Sequence, residues 1–298
     1  MTLDSLRPKG EGRGFAGIGY KIASVSFHMW CPDVYEGAPT PVTALLSVGP
    51  KAAGFAVLIR FFFILFIEPT SWGQEALTEI GNVPWPLVLA VLSMITMTVG
   101  NLSALPQTNM KRFLAYSSIA HAGYILMGTA AVSQQGLQAT LFYLVVYLFM
   151  NLGAFLVVIA IQNSLGVEDI SGYRGLAYRA PFLAVTMAIF LFSLTGIPPF
   201  AGFIGKLYLF AALLSKGGTL MYLLAIVGIV NSVISLYYYT RVVRAMFLDR
   251  PAEATPVRAP DLYRWTIAVL VIPVVVFGVY WAPLEQFVQQ SLRLVAGV

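Results

Sequence analysis

Residues 137–161, LQATLFYLVVYLFMNLGAFLVVIAI, run without one Asp, Glu, Lys or Arg. At about 1.5 Å of rise per residue, a helix of this length crosses the roughly 30 Å of a bilayer's hydrocarbon. The alternation of a β-barrel strand is absent. A backbone in lipid must satisfy its own hydrogen bonds, so the run predicts a membrane-spanning helix. The same texture recurs on both sides of it. Further apolar segments lie at approximately 15–30, 42–67, 85–105, 112–132, 181–213, 219–246 and 264–284, which makes about eight in all. The expected fold is all-α, a polytopic membrane protein, with a polar N-terminal tail at 1–14 and a transmembrane domain at 15–292.

Composition agrees. Hydrophobic residues make up 58% of the 298 and charged residues 10%. A soluble domain carries roughly 25% charged residues, so a chain this poor in charge cannot cover a surface in water. The net charge of +5 fits loop Lys and Arg facing anionic lipid and is too small for a nucleic-acid footprint. Cys31 is the single cysteine. One thiol cannot hold an iron–sulfur cluster, and no metal site is expected. The tail MTLDSLRPKGEGRGF lacks the apolar core of a signal peptide.

Two segments are irregular. Segment 181–213 is too long for one straight span and contains Thr195-Gly196-Ile197-Pro198-Pro199. Adjacent prolines remove two backbone donors, so a broken helix is expected at Gly196, Pro198 and Pro199. Gly49-Pro50-Lys51 predicts a milder break at Pro50. Loop charge sets orientation. Lys111, Arg112, Arg174, Arg179, Arg241, Arg244, Arg250, Arg258 and Arg264 fall on one side, which is expected to be cytoplasmic. Both termini then lie opposite. An N-tail bearing Arg7, Lys9 and Arg13 crosses poorly alone, which suggests earlier helices that fix the topology.

Charges at bilayer depth cost about 2.5–3.5 kcal/mol each and so ask for a reason. Lys21, Lys51, His121 and Lys206 each fall near the middle of a segment, at similar expected depth. Burial brings the charged and neutral forms of a lysine closer in free energy, so it can hold or release a proton as its neighbours change. A row of such groups can pass protons laterally. Packing pairs for single lysines are the simpler alternative, less so for four groups together. Asp33 and Glu36 can line a proton entrance or cap the next helix, the second being simpler. Arg60 is expected to reach the interface, and Tyr237, Tyr238 and Tyr239 to form an aromatic belt.

Three runs carry a resemblance: KIASVSFHMWCPDVYEGAPTP (21–41), NLSALPQTNMKRFLAYSSIAHAGYILMG (101–128) and GIPPFAGFIGKLYLF (196–210). They resemble the antiporter-like membrane subunits of NADH–quinone oxidoreductase, in the form called subunit N or, in cyanobacteria and chloroplasts, subunit 2. The likeness covers essentially residues 15–292. It implies a fold of fourteen helices on two inverted repeats, each with a broken helix, of which this chain matches helices seven to fourteen. The N-terminal half is missing. Lys21, Lys51 and Lys206 then match the family's lysines on helices seven, eight and twelve, with His121 on the tenth. The family's helix-five glutamate, partner of the helix-seven lysine, has no counterpart, because Glu36, Glu68 and Glu285 lie at loops or helix ends.

The resemblance implies proton translocation across a bacterial inner membrane, driven by quinone reduction elsewhere in the complex. It implies no redox cofactor in this chain, with NADH, FMN, iron–sulfur clusters and quinone bound by other subunits. The expected partners are other membrane subunits, the lipid bilayer and a separately encoded N-terminal half. Two alternatives remain open at this point: a cation/proton antiporter subunit, and a truncated structural or inactive remnant.

Overall fold

The computed structural model describes residues 11–66, 84–250, 257 and 259–296. The tail expected at 1–14 lies largely outside them, as do Arg7, Lys9, Glu68 and Arg258. Helix α1, Glu11–Ile22, begins inside that tail. The regular structure among the described residues is helical, with one isolated bridge between Asn109 and Asp169.

The middle of the molecule is α5, Met110–Ala130, packed against α4, Trp85–Ala104. The two backbones touch because glycine sits where they cross. A Cβ on Gly100 would stand 2.5 Å from the Ala120 nitrogen, and one on Gly123 2.5 Å from that of Met97. Small residues at helix contacts of this kind let membrane helices approach closely. Asn109 starts α5 by accepting from the amides of Lys111 (2.9 Å) and Arg112 (3.2 Å). Five described helices are long and apolar enough to cross a membrane by themselves, and α5 is not among them. Ser117, Ser118, His121 and Thr129 dilute it, and almost every residue is buried in protein. Its solvent is the other helices, not lipid.

Around it stand α3 (Thr40–Phe66), α6 (Gln134–Leu165), α8 (Pro181–Thr195), α9 (Ala201–Lys216), α10 (Thr219–Phe247) and α11 (Asp261–Val279). Short helices α2 (Trp30–Gly37) and α7 (Leu176–Arg179) lie in connections, and α12 (Ala282–Ala296) closes the described chain. With α8 and α9 counted as one broken unit, seven of the eight apolar segments are recovered as helices, and α1 covers part of the eighth, 15–30.

Three boundaries differ from expectation. Segment 15–30 is not one span. Helix α1 ends at Ile22, Ala23 and Ser26 take left-handed φ of 56° and 84°, and α2 begins at Trp30. Ser24 turns its hydroxyl back to the Gly19 carbonyl (3.2 Å), a local bond that competes with the helix. Pro50 does not break α3, which continues through it. A single proline leaves one carbonyl unserved, too little to end a helix so well packed. Tyr238 and Tyr239 are buried, and only Tyr237 faces outward as an interface residue would.

The basic loops do share one end. Arg241 donates to the carbonyls of Leu105 and Gln107, both at 2.7 Å, and Gly175 N–H donates to Ala245 O at 2.9 Å. Glu168 anchors this end. It pairs with Lys111 at 2.8 Å and accepts from Asn109 (3.2 Å) and Gln162 (2.7 Å). Burial pushes its carboxyl up, but hydrogen bonds from Lys111 and Asn109 and the Lys111 charge outweigh that and hold it below its ordinary 4.5. A carboxyl lowered by folding contributes stability above its unfolded value, lost as pH falls through the folded one. Thermal stability in detergent is therefore expected to drop as pH is lowered below 4.5, and Glu168→Gln to flatten that dependence.

Candidate functional site

The break between α8 and α9 is built by the proline pair. Along a regular helix the carbonyls of Leu194 and Thr195 would accept from residues 198 and 199, and both are proline without an N–H. Gly196, at φ 87°, ends α8 in the left-handed region, where a side chain would be strained. The carbonyl left over at Thr195 is taken by Lys206, whose Nζ donates to it at 2.8 Å from α9. Lys206 also donates to Ser232 Oγ (3.2 Å) and lies 4.2 Å over the ring of Tyr124. The lysine is buried without a carboxylate beside it among the ion pairs of the described residues. A freed backbone carbonyl and an aromatic face serve its ammonium instead.

Lys51 is equally buried, on α3. Its Nζ donates to the Ser118 carbonyl at 2.5 Å and to the Ser118 hydroxyl. Tyr147 from α6 donates to that same hydroxyl at 2.8 Å. His121 stands between the two lysines, one turn of α5 beyond Ser118. Its Nδ1 meets Tyr143 Oη at 2.8 Å and its Nε2 meets Tyr239 Oη at 3.3 Å. Tyr239 bonds in turn to Ser117 at 2.5 Å. On the other side Ser232 donates to Tyr124 Oη at 3.2 Å, which continues the bonds of Lys206.

The site therefore has two hydrogen-bonded arms. One is Lys51–Ser118–Tyr147 and the other Lys206–Ser232–Tyr124. The His121 ring lies between them, 5.3 Å from the Tyr147 ring centre and 5.8 Å from that of Tyr124. Neutral imidazole donates at one nitrogen and accepts at the other, so His121 can pass a proton between its two tyrosine partners.

Of the four ionisable residues singled out in the sequence, Lys51, His121 and Lys206 are brought together. Lys21 is different. It is exposed on the last turn of α1. It sits beside α3 all the same, its Cβ 3.3 Å from where a Cβ on Gly54 would be, three residues beyond Lys51. Asp33 and Glu36 both grip Arg112, at 2.9 and 2.7 Å, and so tie α2 to the start of α5 at the basic end. Sequence reasoning missed Ser117, Ser118, Tyr124, Tyr143, Tyr147, Ser232 and Tyr239. The available signal was spacing. Ser117, Ser118, His121 and Tyr124 recur every three or four residues along one helix, as do Tyr143 and Tyr147 along another. Among the described residues no group of His, Cys, Asp and Glu is gathered as a metal would require.

The family described as NADH:quinone oxidoreductase/Mrp antiporter, TM, matches residues 14–235. NADH-quinone oxidoreductase subunit N of Anaeromyxobacter sp. (strain Fw109-5) is 55% identical over 288 residues, covering 95% of this chain and 56% of that protein. Subunit N 2 of Sorangium cellulosum (strain So ce56) is 56% identical over 280 residues, 94% of this chain and 54% of that one. The chain thus spans little more than half the length of these relatives. A chain of respiratory complex I from Thermus thermophilus with bound aureothin superposes with a TM-score of 0.73 at 32% identity, over 91% of this chain and 57% of that one. A chain of the Mrp complex from Dietzia sp. DQ12-45-1b, 24% identical with a TM-score of 0.80, shares the fold. By this match and these identities, the chain belongs to the NADH:quinone oxidoreductase/Mrp antiporter family of membrane proteins.

Proposed function

We propose that this chain is a membrane subunit of a proton-translocating NADH–quinone oxidoreductase, and that it carries protons laterally along Lys51, His121 and Lys206. The observation that supports this most is the burial of three protonatable groups in one track of hydroxyls. Charge at this depth is costly, and each group touches at least one hydroxyl, Ser118 for Lys51, Tyr143 and Tyr239 for His121 and Ser232 for Lys206, through which a proton can exchange. Tyr147, Ser118, Tyr239, Ser117, Tyr124 and Ser232 complete the track. The two relatives named subunit N support the choice of complex. Electron carriers are assigned to other subunits, since a single thiol ligates no cluster. The partners are then other membrane subunits in a bacterial inner membrane. Asp33 and Glu36 are read as the rim of a proton entrance that Arg112 holds shut, and Lys21, exposed on α1, stands outside the buried track.

The test is Lys51→Ala in the chromosomal copy, with protons moved per NADH oxidised measured in inverted membrane vesicles. A several-fold loss is expected, partial because water and Ser118 can substitute for the amine. An unchanged proton-to-electron ratio would remove Lys51 from the path.

A further inference from the structure

Two asparagines, Asn101 of α4 and Asn231 of α10, are buried against each other. Neither is ionisable, yet their neighbours fix which way both amides face. Asn231 Nδ2 donates to the Thr98 hydroxyl oxygen at 3.0 Å and to the Val227 carbonyl at 2.9 Å. A carbonyl only accepts, and Thr98 has already spent its proton on the Met94 carbonyl, at 2.7 Å. The Asn231 atom facing both must therefore be nitrogen. Its oxygen turns to Asn101, whose Nδ2 donates to it at 3.0 Å. That leaves Asn101 Oδ1 to face Tyr238, which donates to it at 2.8 Å.

This polarity passes along α10 to the histidine. Tyr238 has one hydroxyl proton, and Asn101 takes it. The hydroxyl of Tyr239 is hydrogen-bonded to that of Tyr238, so Tyr239 is the donor of that pair. With its proton committed there, the Tyr239 oxygen can only accept, from Ser117 and from His121 Nε2 at 3.3 Å. Nε2 must then carry a hydrogen. The other side of the ring agrees. Nδ1, at 2.8 Å, is the one hydrogen-bond partner of the Tyr143 hydroxyl among the described residues. That phenol therefore donates to it, and Nδ1 is the bare nitrogen.

We propose that Asn101 and Asn231 are positioning residues that hold neutral His121 in the tautomer with its hydrogen on Nε2. An amide neither gains nor loses a proton at physiological acidity, so the pair is a fixed end from which the direction of each hydrogen bond follows. The free lone pair of the ring then faces Tyr143, and an incoming proton is accepted at Nδ1, from the side of α6. Asn101 is also hydrogen-bonded to the Tyr124 hydroxyl, so one amide steadies the arm of Lys206 as well as the ring. The use of the tautomer in proton transfer rests on the relay reading, whereas the tautomer itself does not.

Solid-state nitrogen NMR on the full chain in lipid, grown with isotopically labelled histidine, reads the tautomer without any transport. The chain has two histidines, and His28→Gln leaves His121 as the labelled ring. Under mildly alkaline conditions the hydrogen is expected on Nε2 alone, recognised by the correlation of that nitrogen to Cδ2. Tyr143→Phe removes one of the two constraints and should keep the hydrogen on Nε2, because the amides suffice. Protonated Nδ1 in either chain overturns the proposal. Adding Asn101→Leu to Tyr143→Phe should free the ring, with protonated Nδ1 appearing as a substantial fraction of the signal. Adding Thr98→Val instead should leave Nε2 protonated, since the Val227 carbonyl still orients Asn231. Both substitutions take a hydrogen bond from the same network, so a merely structural role predicts the same response to each. An unmoved hydrogen with Asn101→Leu, or an equal shift with Thr98→Val, overturns the proposal. Should the Asn101→Leu chain fail to insert, Tyr238→Phe removes only a hydroxyl and carries the same expectation.

Discussion

Lys206→Ala is expected to slow proton movement by about a hundredfold, the scale for loss of a group that exchanges protons in the limiting step. Assembly should survive nearly intact. The substitution deletes a buried amine and leaves one unpaired carbonyl, at Thr195, a loss of about 1–3 kcal/mol beside a break already free of helix bonds. Lys206→Arg separates charge from exchange. Arginine keeps the cation, can still reach the Thr195 carbonyl and the Tyr124 face, and does not give up its proton in the working range. It should therefore be as slow as alanine. The readouts are protons per NADH in inverted vesicles and the amount of assembled complex on a native gel. Normal stoichiometry in the alanine variant, or full rescue by arginine, would show that Lys206 only packs.

The second large effect concerns shape. Helix α11 lies directly on the α8–α9 break, and a Cβ on Gly278 would stand 1.8 Å from the Pro199 carbonyl oxygen and 2.6 Å from the Phe200 carbonyl carbon. Those atoms are backbone and cannot rotate away. Gly278→Ala must push α11 off the break or deform the break itself, and overpacking costs typically 1–3 kcal/mol, more where backbone must move. The thermal midpoint in detergent is expected to fall by at least about 5 °C. Gly37→Ala is the control, because a Cβ there meets nothing within 4 Å. A Gly278→Ala midpoint equal to that of the control would mean that α11 does not press on the break.

How much of this was legible depended on which physics each residue obeys. Segments 85–105 and 219–246 match Trp85–Ala104 and Thr219–Phe247 almost to the residue, because lipid-facing length is set by hydropathy alone. The break at 196–199 was legible because a proline pair has no other outcome in a helix. The interruption after Ile22 was not, since Ala23 and Ser26 carry no such local mark and their left-handed turns are imposed by neighbours such as Thr96, which accepts from Val25 N–H at 3.1 Å. Pro50 erred the other way, as packing held α3 together. At the site, Lys51, His121 and Lys206 were found by the cost of burying charge. Tyr143, Tyr147 and Tyr239 were not, because buried tyrosine is cheap and looks like core. Only contact with a histidine from a distant part of the chain sets them apart.

The proline pair has one more effect. A carboxylate opposite a lysine is itself a base. It can accept the lysine's proton, and the two then sit as a neutral couple that stores nothing and ignores any electric field. The Thr195 carbonyl attracts the ammonium yet has no acid form at any physiological acidity. A cation resting on it cannot be quenched by its own anchor. Of the two groups to which Lys206 donates, only the Ser232 hydroxyl has a proton of its own to pass on.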